Sequence, residues 1–209
     1  LIERSINKKE KLFMPKVGMK PVRKQQLIDA TLESIGEFGL QSTTIVTISR
    51  IAGLSSGIIS HYFGGKQGLI EATIMHLLEQ LRLALLAQIS AKPIDANERL
   101  KIIIAANFTP FQRSTPAIKT WLSFWTESMH DPKLRRLQNI NSKRLYSNLL
   151  FSFRQLLADD AAQVAAKQTA AMIDGFWLRC ALSTKPEAEF KQAEQLCKSF
   201  IDEQINSLN

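Results

Sequence analysis

The stretch that most constrains this chain is Thr43 to Lys66, TTIVTISRIAGLSSGIISHYFGGK. Thr44 precedes an apolar repeat, Ile45, Ile48, Ile51 and Ala52, spaced for one helical face. Gly53 follows, where a chain that reverses needs φ > 0. Ser55 or Ser56 is expected to accept the free N–H groups opening a second short helix. Leu54, Ile59 and Phe63 give that helix a buried side, and Ser56, Gly57, Ser60 and His61 give it a face without bulk. A short helix with such a face, braced across another, is what the major groove of DNA admits. Tyr62 and Lys66 lie just past it, where a hydroxyl and an ammonium reach phosphates. A helical hairpin inside an ordinary α-helical core has the same pattern, so the stretch alone leaves both readings open.

The stretch resembles the DNA-binding end of tetracycline-repressor-like (TetR family) regulators. The resemblance is carried by Thr44, Ile48, the run Ala52-Gly53-Leu54-Ser55, then Tyr62-Phe63 and Lys66-Gln67-Gly68-Leu69. It extends over most of the chain. Met14 to Lys24, GIISHYF, KTWLSFW with Met129-His130 after it, RLYSNL and IDGFWLR look like the choline-responsive branch of that family, which represses glycine-betaine synthesis genes. The resemblance implies a dimeric repressor, not an enzyme, that reads operator DNA. Ser56, Gly57, Ser60 and His61 would approach the bases and Thr44, Tyr62 and Lys66 the phosphates, with Ser55 counted among the DNA-binding residues. Ser49 stands where the family usually has alanine; its hydroxyl is expected to bond back to a helix carbonyl.

Charge agrees with a nucleic-acid-binding end. The net charge is +8 over 209 residues. Up to Lys66 there are ten Lys and Arg against five Asp and Glu, and beyond it seventeen against fourteen. The first third therefore carries most of the excess. Pro15 to Lys24 is a basic arm with Lys16, Lys20, Arg23 and Lys24 and no acid, read as a backbone phosphate contact. Cys180 and Cys197 are too far apart for a metal pair and read as buried thiols of a cytoplasmic protein. His61, His76 and His130 fall on different elements, so no metal, cofactor or catalytic constellation is expected; His76 and His130 read as structural. Gly64-Gly65-Lys66 lacks the strand and spacing of a phosphate loop. No apolar run reaches the roughly 18 residues of a membrane span. Met14 looks like a natural start, which leaves residues 1–13 outside the fold reasoning.

The periods predict an all-α protein of nine helices in two unequal parts. Residues 1–20 are an extension and arm, 21–66 the helix-turn-helix domain, and 67–209 a ligand-binding and dimerisation domain. The first helix is expected from Pro21 to Phe38, with Leu27, Ala30, Thr31, Ile35 and Phe38 inward and Gly39 as its end. The fourth should run from Lys66 to about Ser90, stopped by Pro93. The fifth, capped by Asp95 or Asn97, should reach Gln112, with Pro110 disturbing its last turn. The sixth follows Ser114 to Met129. The seventh runs from Pro132 to Leu157 with Leu134, Leu137, Ile140, Leu145, Leu149 and Phe153 inward. The eighth spans Asp160 to Leu182, and the ninth Pro186 to Ser207. These last two carry apolar residues on more than one face, and they are expected to form a homodimer interface, with an interior pair as the alternative.

The second domain concentrates aromatic residues: Phe108, Phe111, Trp121, Phe124, Trp125, Tyr146 and Trp177. Trp121 and Trp125 are four apart and share a helical face. Ring faces attract a quaternary ammonium, and Asn107, Glu127, Asp131 or Asp174 could supply a hydroxyl partner or counter-charge. Such a stripe can equally be plain core. With the resemblance, the expected site is a choline pocket of Asn107, Phe108, Trp121, Phe124, Trp125, Tyr146, Asp174 and Trp177. The remaining alternatives are a repressor of an efflux pump that senses bulky aromatic cations, and a helical protein-binding adaptor.

Overall fold

The computed structural model describes residues 19–89 and 94–207. These form α1 (Met19–Ser42), α2 (Ile45–Ala52), α3 (Gly57–Phe63), α4 (Lys66–Ile89), α5 (Ala96–Asn107), α6 (Thr115–Ser128), α7 (Pro132–Phe153), α8 (Asp159–Ala181) and α9 (Pro186–Ser207). No strand occurs among the described residues. None of their helices is long and apolar enough to cross a membrane. The first part of the basic arm, the expected end of the fourth helix at Ser90 and the stop at Pro93 lie outside the described residues.

The small N-terminal core is built from four helices. Leu27 and Ala30 of α1, Ile48 of α2, Ile59 of α3 and Leu69 of α4 are buried together, with Ile45, Ile51, Leu54 and Phe63 packed around them. Fully burying each of the four large side chains contributes about 1.5–3 kcal/mol. Thr44 caps α2: its hydroxyl accepts from Thr47 N at 3.1 Å, while Thr47 Oγ1 accepts from Thr44 N at 2.8 Å. Gly53 takes the left-handed conformation (φ 63°) and its N–H closes on the Arg50 and Ser49 carbonyls. The KQGL motif has a steric cause. A Cβ on Gly68 would stand 1.9 Å from the Phe63 carbonyl oxygen, so only glycine lets α4 start so close to the end of α3.

Several local expectations are corrected. Gly39 breaks the helix as expected (φ 78°, ψ 164°), and a further short helical turn carries α1 on to Ser42. α1 also begins at Met19, so Lys20, Arg23 and Lys24 of the expected arm lie on its first turns, and Lys24 Nζ sits 5.5 Å from the Phe63 ring centre. Phe38, expected inward, is exposed at 37% at the end of the regular part of α1. Neither serine caps α3: Ser56 is the N-cap residue but is already helical (φ −61°, ψ −30°), so its side chain points away from the N–H groups it was to cap and makes no such bond. Ser49 Oγ is buried without a partner, where a bond back to a carbonyl was expected.

The larger core joins α4 to α9 and the C-terminal half of α1. Leu32, Ile70, Ile74, Leu77, Leu100 and Ile104 form its upper part. Leu69 and Ile70 are neighbours on α4 yet belong to different cores, so one helix fastens both. α1 and α6 touch closely at Gly36, whose added Cβ would lie 3.0 Å from Pro116. Lys119 Nζ donates to the Gly36 carbonyl there at 2.6 Å.

Asp95 caps α5 through a 2.7 Å bond from Glu98 N, but α5 stops at Asn107 and not at Gln112. The residues around Pro110 form turns that bring Gln112 into the core. α7 ends at Phe153, four residues before the expected Leu157, and Ile140 on it is exposed at 37%. On α9, Phe190, Ala193, Cys197 and Ile201 are buried at helical spacing, whereas Leu196 opposite them is exposed. Val164, Leu178 and Leu182 of α8 are exposed too.

Candidate nucleic-acid interface and ligand cage

The N-terminal domain presents one uncluttered surface. Ile59 anchors α3 from below, so that Ser55, Ser56, Gly57, Ser60 and His61 are all exposed on its outer side. Nothing lies within 4 Å of where a Cβ on Gly57 would stand. Thr44 is exposed at the start of α2, its hydroxyl shared with the capping bonds to Thr47. Tyr62 and Lys66 are half-buried at the far end of α3. The His61 and Tyr62 rings lie 5.0 Å apart at 46°, so the imidazole is held beside the phenol. The eight residues expected at DNA therefore share one end of the molecule.

The second site is assembled from five helices. Trp121 and Trp125 of α6 stand 6.2 Å apart, and Trp177 of α8 lies 6.4 Å and 5.4 Å from them. Three indoles thus converge at steep mutual angles. Asp174, one turn before Trp177, joins them along with Asn107, Leu81 and Ile173. The residue has one side open to solvent, while burial among these groups pushes its carboxyl up to about 6. The space between them is about 30 Å³, room for about two waters. Asn107 Nδ2 donates to the Ile103 carbonyl at 2.8 Å, which fixes the amide plane at the cage edge.

Not every expected ring faces this space. Phe124 lies behind Trp121 at 5.8 Å, and Phe108 lies behind the cage against Phe190 at 6.3 Å. Both are buried, and Tyr146 packs half-buried against the same core. They form a supporting layer and not the lining. Glu127 and Asp131 are elsewhere: they line a shallow cleft with Gln67, Glu71 and Lys133, between the start of α4 and the α6–α7 turn. Asp131 accepts there from Gln67 at 2.9 Å. The structure adds two polar residues that sequence reasoning missed. Asn141 enters from α7, and Gln112 from the turns after α5. Gln112 is a polar residue in an irregular segment, and no local periodicity marks it as inward.

His76 is lowered in pKa by burial and packs edge-on against Phe111 at 5.9 Å. His130 is exposed on the shallow cleft. Cys180 and Cys197 are buried free thiols, and burial pushes Cys197 up to about 12, far from a reactive thiolate. Among the described residues no group of three His, Cys, Asp or Glu side chains could hold a metal.

Comparison with known proteins places both surfaces in context. Residues 27–73 match the tetR family of bacterial regulatory proteins. Residues 96–206 match the BetI-type transcriptional repressor C-terminal family. The HTH-type transcriptional regulator BetI of Paraburkholderia phymatum is 51% identical over 189 residues, 90% of this chain and 96% of the relative. Its namesake in Burkholderia cenocepacia is 49% identical, over 90% of this chain and 97% of the relative. A transcriptional regulator from Saccharomonospora viridis, solved in complex with choline, superposes with a TM-score of 0.76 at 23% identity, over 87% of this chain and 96% of that one. At that identity the likeness is one of fold.

Proposed function

This chain belongs to the tetR family of bacterial regulatory proteins, with a BetI-type repressor C-terminal part, and on that premise we propose that it is a choline-relieved repressor of choline-to-glycine-betaine genes. Family members bind operator DNA and form dimers. The finer assignments are ours: residues 21–66 as the reading domain, residues 67–209 as the sensing and dimerising domain, and the exposed apolar residues Val164, Leu178, Leu182 and Leu196 of α8 and α9 as the homodimer face.

α3 enters the major groove with Ser56, Gly57, Ser60 and His61 toward base edges. Thr44, Ser55, Tyr62 and Lys66 set the register on the backbone. None of these side chains forms a bidentate fork, so DNA shape and bridging water carry part of the specificity. Two copies in a dimer address half-sites about one helical turn apart.

Choline occupies the cage of Trp121, Trp125 and Trp177. Its trimethylammonium lies against the ring faces, Asp174 supplies the counter-charge, and Asn107 meets the hydroxyl. The observation that carries this reading is the convergence of three indoles and one carboxyl. The space is too tight for choline as it stands, so binding must spread α6 and α8 or shift α4. α4 leads directly into the DNA-binding end, and the α1–α6 contact at Gly36 and Pro116 offers a second route. Choline acts by the difference in its affinity for the two arrangements.

The test is fluorescence anisotropy on the chain's own upstream intergenic DNA, at stated salt, with choline titrated in. Saturable release by choline and not by a bulky cationic dye supports the reading. Tight DNA binding indifferent to choline would refute the effector. Absence of any DNA preference would refute the repressor.

A further inference from the structure

A second, larger cavity lies beside the cage. It is a half-open pocket of about 410 Å³ between α4, α5 and α7, with Arg82 and Arg144 exposed at its edge. Its walls are mostly apolar, with Leu78, Leu85 and Leu86 of α4 facing Ile103 of α5 and Leu145 of α7. Its polar lining has a single sign of charge: Arg82, Arg99 and Arg144, joined by the neutral amides Asn107, Asn141 and Asn148. The cage has the opposite character, with rings and a carboxylate.

The arginines differ in how they are matched. Arg82 forms a two-point ion pair with Glu79, at 2.5 and 2.7 Å. Arg99 is held by neutral groups: Nη1 donates to the Asn148 carbonyl at 2.8 Å and to Ser152 Oγ at 2.7 Å, and Nη2 to Asn148 Oδ1 at 2.9 Å. Its other face covers the Phe151 ring at 5.0 Å. Arg144 is near enough to Glu79 to help keep that carboxylate ionised. Glu79 thus pairs with Arg82 and reaches Arg144, while Arg99 is held by neutral partners, and all three guanidinium groups line the pocket. The positive lining disfavours a choline cation and favours an anion.

From this geometry we infer that the cavity is a second ligand site, for a single-chain anionic amphiphile. The carboxylate or phosphate head pairs with Arg99 and Arg144, and the alkyl chain lies along Leu78, Leu85, Leu86 and Ile103. Guanidinium groups suit either head, since both offer two oxygens to the fork. The site stands independently of choline. It shares Leu81, Asn107 and Asn141 with the cage, so an occupant presses on the same wall of α4. The protein therefore has two inputs to one helix.

Isothermal titration of the full chain with octanoate, octyl phosphate, octanol and octyltrimethylammonium, each below its micelle concentration, tests this. At least one anion should bind once per protomer, at least tenfold more tightly than octanol, and the preference between the two anions identifies the head group. Arg144→Gln removes one charge-assisted contact without touching the bonds that hold Arg99, and should weaken that anion about tenfold. Leu86→Trp, at a residue 40% exposed on the rim, should plug the cavity and abolish binding. Both variants should keep the choline response of the parent. Equal binding of octanol and the anions, tightest binding of the cationic compound, or no binding of any octyl compound would overturn the inference. A parent that ignores choline but binds the anion sinks the cage reading alone.

Discussion

The indole Nε1 of Trp121 donates a 2.7 Å hydrogen bond to Gln112 Oε1, and Gln112 Nε2 donates onward to the Leu77 carbonyl at 3.3 Å. Gln112 is 1% exposed, so both bonds are shielded from water. One amide therefore ties a ring of the cage on α6 to the backbone of α4. Gln112→Leu leaves the buried indole N–H unpaired, which costs about 1–3 kcal/mol. Chemical denaturation should show that loss, and the choline midpoint should rise. An unchanged choline titration would mean that the amide plays no part in setting the ring.

Trp125 is the better ring to remove. Trp121 is 4% exposed, and its truncation costs about 3–5 kcal/mol, enough to confuse folding with sensing. Trp125 is half-buried at the cage mouth. Trp125→Ala should bind operator DNA as the parent does and lose release by choline. If choline still releases the DNA at the parent concentration, that ring belongs to the core alone.

Asp174 gives a pH signature whose sign follows from its raised carboxyl. Folded, it titrates near 6; in the unfolded chain its ordinary value is 3.8. The folded state thus holds the proton more firmly. This group's cost is absent below about 4, grows as pH rises, and is complete above about 6. Asp174→Asn removes that cost, so its stability relative to the parent should improve from pH 4 to pH 7. With Asp174 as the proposed counter-charge, parent affinity for choline should fall as pH drops through about 6, whereas the Asn variant should bind weakly with a flat profile. A parent profile flat from pH 5 to 8 would remove Asp174 from the site.

Gly57 separates folding from recognition. A methyl there meets no atom of the protein, and alanine at a compatible helical position stabilises by about 0.4–1 kcal/mol. Gly57→Ala should melt no lower than the parent. Its operator affinity should nonetheless drop, because the methyl is set against the base edges. Unaltered affinity would move the interface off this face of α3.

Lys66→Ala and Tyr62→Phe should weaken binding to operator and unrelated duplex alike. The lysine change should also lower the slope of log affinity against log salt by about one. A change in sequence preference without a change in slope would reassign Lys66 from phosphate to base.

The DNA-binding end was legible from the sequence for a local reason. Its determinants, from Thr44 through Gly53 to Lys66, lie within one short segment, where capping, helical period and the need for φ > 0 act between near neighbours. The same locality explains the correct starts of α5, α6 and α7 at Asp95, Ser114 and Asp131, whose side chains each accept from the helix they open. Where a boundary depended on distant packing, as at Gln112 or Leu157, the periodic pattern ran past the true end.

The cage shows the complementary limit. Composition singled out the tryptophans, and their spacing put Trp121 and Trp125 on one face. Which aromatic residues line the space and which back it was decided only when five helices met. Phe108 and Phe124 lie behind, Glu127 and Asp131 belong to another cleft, and Gln112 and Asn141 enter from elements with no local mark. Helical period tells a side chain to turn inward; it does not say which neighbour waits there. That is set by the angles at which helices cross, a property of the packed core that holds Leu69 and Ile70 of one helix in two different interiors.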